Sequence, residues 1–343
     1  MNRIIYLLTI SFIALSLNGM AQQEAYFLNN VNNPFILNPA AGGLNGVAQI
    51  ELTSRTQWLG YNGGPRSFML TANSQIRTKK EQVLSAFNKE DKALFSSPTN
   101  TVGKTKHVVG GKAMNDAIGP FAKSSFHGSY SIHLPFSKKL NFGVGIGIGW
   151  SNFRIDQDRV SLYEENDLAY SNFLGASSSQ NFLDANAGII LYGKRFSAGI
   201  STTQVFKNKA SFDGFETGNY YDRHFFGTMK YAISLGDRFG FEPAIMAKYT
   251  KNAPFSIDAG ARFTYNSSIW LGGYYRTGNS IALQIGANII KNFYVSYGYE
   301  MSTGILRTSG NGTHEIQLGI YIGNNKNKNV EDGHRLIEEE ETK

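Results

Sequence analysis

Apolar and polar side chains alternate with a period of two along most of the chain from Gly46 onward. In residues 281–289 the odd positions carry Ile, Leu and Ala, and the even positions carry Ala, Gln, Gly and Asn. Residues 255–263 and 316–322 repeat the pattern, with one apolar face and one small, polar or charged face. This is the period of a β-strand between two different environments, so the pattern predicts an all-β fold.

Aromatic residues mark the ends of several apolar rows. Phe142 and Trp150 bracket the aliphatic positions of 144–148, and Phe255 and Tyr265 bracket a second row. A soluble β-sandwich also alternates, but an aliphatic band between two aromatic girdles is typical of a barrel that crosses a membrane. The pattern therefore predicts a closed antiparallel transmembrane β-barrel.

The alternating segments predict about 14 strands, an even number as expected for a closed bacterial barrel with both ends in the periplasm. They are 46–60, 66–77, 107–118, 124–136, 140–156, 182–193, 195–206, 223–236, 240–250, 255–265, 268–278, 280–290, 293–302 and 313–323. Most connections at one end are tight, whereas 157–181, 207–222 and 303–312 at the other end are long. We expect the long connections to be extracellular and the tight ones periplasmic.

The first residues predict export. Arg3, an apolar run over 4–17 and the small residues Gly19 and Ala21 are typical of a cleaved signal peptide, here residues 1–21. The chain has no cysteine, so no disulfide framework is expected. No apolar run of about 18 residues follows the leader, so no transmembrane helix is expected either. The predicted location is the outer membrane, in contact with its lipid.

Residues 22–45 precede the predicted barrel, which spans 46–323, and contain the stretch NPFILNPAAGG. Each Asn-Pro pair disfavours a helix and starts a turn. The apolar residues between the two pairs need a dry environment. We therefore expect this segment to fold into the periplasmic mouth as a plug or lining, with these residues in it: Asn33, Pro34, Phe35, Leu37, Asn38 and Pro39.

Two further stretches are predicted to lie in the periplasm. Residues 78–106 form an insertion, either a mobile polar loop or a short amphipathic helix (Val83, Leu84, Phe87) that docks a periplasmic partner. Residues 324–343 form a charged tail whose lack of apolar content predicts disorder.

Composition and motifs exclude several classes of function. The net charge is +7 and the pI about 9.3, but basic and acidic residues are interspersed without the stripe that nucleic acid requires. The glycines of GVGIGIGW (143–150) alternate inside a strand, so they lack the strand–turn–helix context of a dinucleotide site. The six histidines show no metal-ligand spacing. No enzyme, metal or cofactor is predicted.

Charged residues also fall on the polar face of the predicted strands, which must line the lumen. Because a lone buried charge is costly, their mixed signs predict a paired, partly filled lumen, although a polar conduit for solutes remains open. The lumen charges predicted in this way include Glu51, Lys230, Glu242, Lys248, Asp258, Arg262, Glu300 and Glu315.

Six segments in series resemble the PorP/SprF family of the Bacteroidetes type IX secretion system. They are NPFILNPAAGG, SRTQWLGYNGGP, NDAIGP, KYTKNAPFSIDAGARF, YRTGNS and LRTSGNGTHEI, which span residues 33–316 in order. The resemblance implies a non-enzymatic role in protein secretion or gliding motility. It also implies partners among other secretion components and a large secreted adhesin, which the protein helps to export or to hold by its C-terminal domain. The alternative is an outer-membrane channel for small or hydrophobic solutes, like a fatty-acid channel.

Five of these segments fall at the end of the barrel predicted to be extracellular. Good hairpin turns alone would explain their Gly, Pro and Asn content. Aromatic and basic side chains beside them nevertheless predict a rim suited to a protein partner. The rim residues predicted are Arg55, Gln57, Trp58, Tyr61, Asn62, Asn115, Asp116, Pro120, Lys251, Pro254, Arg276, Arg307 and His314.

Overall fold

The computed structural model describes residues 26–30, 32–76, 102–160, 179–212, 215–220, 222–251, 253–277, 280–290, 292–303 and 310–322. Four predicted features lie wholly or mostly outside these residues: the signal peptide, the 78–106 insertion, the 324–343 tail and Arg307.

Within these residues, fourteen antiparallel strands close into a ring. Two pairings join its edges, β1 with β17 and β10 with β12. The short strand β11 continues the line of β10, and β8 pairs only with β9 in a separate hairpin. The predicted antiparallel barrel is confirmed. The strand bounds are β1 (Ala48–Thr56), β2 (Arg66–Gln75), β3 (Lys106–Ile118), β4 (Phe121–Ser137), β5 (Leu140–Ile155), β6 (Ser179–Gly193), β7 (Phe196–Thr203), β8 (Lys209–Phe212), β9 (Phe215–Tyr220), β10 (His224–Tyr231), β11 (Ile233–Leu235), β12 (Phe239–Thr250), β13 (Ser256–Tyr265), β14 (Ile269–Arg276), β15 (Ser280–Ile290), β16 (Phe293–Ser302) and β17 (Thr313–Ile322).

The alternation of the sequence becomes the two faces of the barrel wall. On β15, Leu283 and Ile285 are 56% and 54% exposed on the outside, whereas Gln284 between them is 3% exposed and points inward. Ile146 and Ile148 on β5 face outward in the same way. An apolar outer face and a polar inner face suit a wall between lipid and a hydrated or hydrogen-bonded interior.

The two ends of the barrel differ in their connections. One end, called here the short-turn end, carries the turns 138–139, 194–195 and 266–268. The other, the long-loop end, carries 57–65 and 251–255 among its connections. The helical content of the described ranges consists of single 3₁₀ turns, at Leu28–Asn30, Pro34–Ile36, Pro39–Ala41 and Gln157–Arg159. No helix within those ranges is long and apolar enough to span a membrane.

The residues before β1 run through the interior of the barrel. This lumen segment (residues 26–30 and 32–47) begins at Tyr26, which bonds to Asp258 near the long-loop end of β13. It descends to Gly43, whose N–H donates to Asn73 Oδ1 near the short-turn end of β2. The segment therefore extends well beyond the mouth at the short-turn end. Its buried apolar side chains are Phe27, Leu28, Phe35, Ile36, Leu37, Ala40, Ala41, Leu44 and Val47.

Candidate functional site

The two Asn-Pro pairs each build one 3₁₀ turn of the lumen segment. Asn33 Oδ1 accepts a hydrogen bond from the N–H of Phe35 at 3.2 Å, and Asn38 Oδ1 accepts one from the N–H of Ala40 at 2.9 Å. Proline follows each Asn at the first position of the turn, where its missing N–H has no cost. The repeat in the sequence is therefore a repeat of capped turns.

The same two asparagines attach the segment to the barrel wall through their amide nitrogens. Asn33 Nδ2 donates to the carboxylate of Glu51 on β1. Asn38 Nδ2 donates to the backbone carbonyl of Ile189 on β6 at 3.0 Å. Aspartate would keep the cap but lose this donor, which explains why asparagine suits both positions.

Glycines in the wall make room for residues 35–43 of the segment, called here its lower part, which lie nearest the short-turn end. A Cβ atom at Gly145 on β5 would overlap the backbone of Ala40, and one at Gly188 on β6 would overlap the side chain of Asn38. A Cβ at Gly110 on β3 would lie 2.5 Å from Phe35 Cζ. These glycines, together with Gly199 on β7, form a groove that is called here the glycine seat. Gly145, in the GVGIGIGW run, thus allows the backbone of the lumen segment to lie close to the barrel wall.

A buried ion-pair cluster lies in the half of the lumen nearest the long-loop end. Arg55 bonds to Glu300 at 2.7 Å and to Glu315 at 3.2 Å. Arg276 bonds to the other oxygen of Glu300 at 2.7 Å and to Asp258 at 3.2 Å. Because each buried charge has an opposite charge within hydrogen-bond distance, the cluster avoids the cost of isolated burial.

Residues 26–29 of the lumen segment, called here its upper part, supply hydrogen bonds to this cluster. The N–H groups of Leu28 and Asn29 donate to the two oxygens of Glu315 at 2.8 and 3.1 Å. The Tyr26 hydroxyl donates to Asp258, and the Arg276 guanidinium lies 3.9 Å from the centre of the Tyr26 ring. Three carboxylates facing two arginines leave spare acceptors, which these donors occupy.

A second polar group occupies the middle of the lumen around Glu51. Its carboxylate accepts hydrogen bonds from Asn33, from Gln49 Nε2 at 2.5 Å and from the Tyr294 hydroxyl. On the opposite wall, Arg262 donates to Glu242 at 2.7 Å. The structure places the predicted lumen charges on the inward face, with Lys248 above the Tyr26 ring and Lys230 3.9 Å from Glu242.

The loop 57–65 dominates the described part of the rim at the long-loop end. Neighbouring connections brace it through backbone hydrogen bonds, from Leu59 N–H to the Gly312 carbonyl at 2.8 Å and from Gly119 N–H to the Gly63 carbonyl at 2.9 Å. Trp58 adopts a left-handed backbone conformation with φ of 52°. The backbone of the loop is thus held by both neighbouring connections.

Most of the predicted rim residues lie at this end, but their exposure differs. Leu59, which was not predicted, and Tyr61 are 44% and 57% exposed. Tyr61 stands edge-on to the Trp58 ring at 6.4 Å. The other exposed members are Asn62, Lys251 and Pro254, and the half-buried ones are Gln57, Trp58 and Pro120.

The structure corrects the position of five predicted rim residues. Arg55 and Arg276 point into the lumen, because the ion-pair cluster requires their charge there. Asn115 and Asp116 lie within β3, since the turn that follows is the pair 119–120. His314 lies on the outer face of β17, half-buried, where its Nδ1 is 2.7 Å from the Tyr297 hydroxyl.

No motif in the sequence indicates one chain of buried polar side chains near the short-turn end. Lys106 Nζ donates to the Tyr192 hydroxyl at 2.7 Å, and that hydroxyl lies 2.8 Å from His133 Nδ1. All three side chains are almost fully buried. The alternation of the strands can place each of these side chains on the inward face. It cannot show that residues so far apart along the chain contact one another. No group of side chains suited to hold a metal ion occurs in the described ranges.

Comparison with known protein families decides the assignment. The family described as type IX secretion system membrane protein PorP/SprF matches residues 19–320. The chain belongs to the PorP/SprF family. The resemblance found in the sequence is thereby confirmed, and it makes this barrel a membrane protein of the type IX secretion system. Comparison with curated protein sequences gives no match.

Several solved structures are similar to the chain at low identity. The toluene transporter TbuX of Ralstonia pickettii is 11% identical, with a TM-score of 0.46, over 90% of this chain and 98% of that one. The monoaromatic hydrocarbon channel CymD is 12% identical, with a TM-score of 0.47, over 89% and 94%. A FadL homologue of Pseudomonas aeruginosa is 9% identical, with a TM-score of 0.44, over 83% and 92%. These likenesses say nothing about function.

Proposed function

We propose that this PorP/SprF barrel is a non-enzymatic outer-membrane component of type IX secretion that binds the C-terminal domain of a large secreted adhesin. The long-loop rim faces the cell exterior and holds the adhesin during export or at the surface, where it serves functions such as gliding. The braced loop 57–65 carries this proposal. Exposed Leu59 and Tyr61 on a backbone fixed from both sides form a preorganised contact surface.

The interior supports an anchoring role over solute conduction. The lumen segment crosses the space that a solute would need, and its contacts reach β1, β6, β13 and β17. Opening a path would break hydrogen bonds to buried carboxylates, each of which contributes about 1.5–3 kcal/mol. A filled barrel suits a protein whose task is performed by its outer surface.

A pull-down of the tagged protein in mild detergent tests the proposal. We expect a large secreted adhesin to be recovered together with the barrel. Deleting the gene should release that adhesin into the medium or trap it in the cell while solute uptake is unchanged.

Matched variants localise the contact. Tyr61→Ala should weaken capture of the adhesin by about tenfold, because aromatic anchors commonly contribute more than 1 kcal/mol at an interface. Tyr265→Ala, which removes an exposed aromatic side chain near the short-turn end, should leave capture unchanged. Recovery of the barrel alone, with conductance in planar bilayers, would contradict anchoring and favour the channel function instead.

A further inference from the structure

A cavity of about 60 Å³ lies in the half of the lumen nearest the short-turn end. The lumen segment covers one side of it, and β1, β7, β10, β12, β13, β14, β16 and β17 form the rest. A single water needs roughly 10–15 Å³, so the space admits several waters or one small polyatomic ligand. Five charged side chains line this cavity: Glu51, Arg195, Lys230, Glu242 and Arg262.

The two carboxylates of the cavity already have their donors. Glu51 accepts hydrogen bonds from the lumen segment, from its own strand and from Tyr294. Glu242 accepts one from Arg262 at 2.7 Å and lies 3.9 Å from Lys230. A cationic ligand would find no free carboxylate here.

The three cations, in contrast, retain donors that no described residue uses. Arg262 is 5% exposed, and its Nε has no hydrogen-bond partner within the described part of the chain. The Lys230 ammonium is too far from Glu242 for a hydrogen bond, and its side chain is only 16% exposed. The guanidinium of Arg195, on the turn 194–195, forms neither a hydrogen bond nor an ion pair among the described side chains.

Arg262 is buried, and Lys230 and Arg195 are partly exposed at the edge of the cavity, so their unused donors point into a space with little solvent and call for acceptors that carry negative charge. Water would supply acceptors but would leave the excess positive charge uncompensated: three cations face two carboxylates. We propose that this cavity is a binding site for a small oxyanion, a carboxylate or phosphate group. Lys230, Arg195 and Arg262 Nε donate to it. The site lies at the opposite end from the adhesin-binding rim and does not depend on that function.

Isothermal titration of the purified, detergent-solubilised full chain tests the site. The probes are inorganic phosphate and acetate, each titrated at constant ionic strength set with chloride. We expect saturable binding of at least one probe. Arg195→Gln and Lys230→Gln should each weaken it at least about tenfold, since hydrogen bonds to charged groups are worth that much.

Lys194→Gln is the matched control, because Lys194 is exposed, lies in the same turn and does not line the cavity. Heat-modifiable mobility on a gel checks that each variant is a folded barrel. If Lys230→Gln does not fold, Arg195→Gln decides alone, since Arg195 lies in a turn. Lack of saturable binding for both probes would overturn the proposal, as would equal weakening by Lys194→Gln.

Discussion

The upper and lower parts of the lumen segment are held in the same barrel by a different balance of hydrogen bonding and close packing. Near the long-loop end, Tyr26, Leu28 and Asn29 donate hydrogen bonds to buried carboxylates. Near the short-turn end, residues 35–43 also form hydrogen bonds to the wall, but they are distinguished by tight packing against the glycine seat. The backbone of Ala40 lies on Gly145, and the side chains of Phe35 and Asn38 lie on the other glycines. Electrostatic attraction changes slowly with distance, whereas overlap repulsion rises steeply. The upper part therefore contributes strength, and the lower part determines where the segment fits.

The largest expected effect tests the charged part. Arg55→Met removes the guanidinium that pairs with Glu300 and Glu315 and leaves buried carboxylates uncompensated. We expect the free energy of unfolding to fall by about 3–5 kcal/mol, measured by urea unfolding of the detergent-solubilised barrel. Arg154→Met, at an exposed position on β5, is the control. Equal losses in the two variants would show that the ion-pair cluster contributes no special stability.

A smaller change isolates the hydrogen bond of Tyr26 from its ring. Tyr26→Phe keeps the aromatic face against Arg276 and removes the donor to Asp258. We expect a loss of about 1.5–3 kcal/mol, because the acceptor is charged and buried. Tyr61→Phe, at the exposed rim, should cost less than about 0.5 kcal/mol. If Tyr26→Phe leaves the free energy of unfolding unchanged, the upper part is held mainly by packing as well. The difference between the upper and lower parts would then disappear.

The packed part is tested by adding volume at the glycine seat. Gly145→Val places a side chain against the backbone of Ala40 and should destabilise the barrel by about 1–3 kcal/mol through overpacking. Gly128→Val, on the outer face of β4 with no atom near the added Cβ, is the matched control. The expected difference in urea midpoint disappears if the seat can widen freely, and that result would contradict a shape-determined fit.

The smallest expected effect concerns one capped turn. Asn38→Ala removes both the cap of the turn Pro39–Ala41 and the bond to the Ile189 carbonyl. A loss of about 0.5–2 kcal/mol is expected, the usual range for a helix cap. Asn62→Ala, at an exposed rim position, should leave the unfolding midpoint unchanged. An equal change of the unfolding midpoint in the two variants would show that the hydrogen bonds of Asn38 do not stabilise the barrel.

The fold could be predicted from the sequence because the barrel wall is a local pattern. Strand phase depends on a period of two, so Glu51 and Glu315 could be assigned to the lumen without knowing their partners. Which charges meet depends on contacts across the lumen, and these are long-range. Sequence alone therefore predicts Arg55 and Arg276 as rim residues, although their strand phase points inward. The glycine seat could not be found, since it becomes meaningful only when NPFILNPAAGG lies against it.

The most direct test of the central claim measures whether the lumen segment is buried in the folded barrel. The chain has no cysteine, so Ala40→Cys introduces a single thiol at a side chain that is 0% exposed. Tyr61→Cys provides an exposed thiol on the rim. If the segment fills the lumen, maleimide should label Ala40→Cys at least about a hundredfold more slowly than Tyr61→Cys, with equal labelling after heat unfolding. Equal labelling rates in the folded protein would contradict the account.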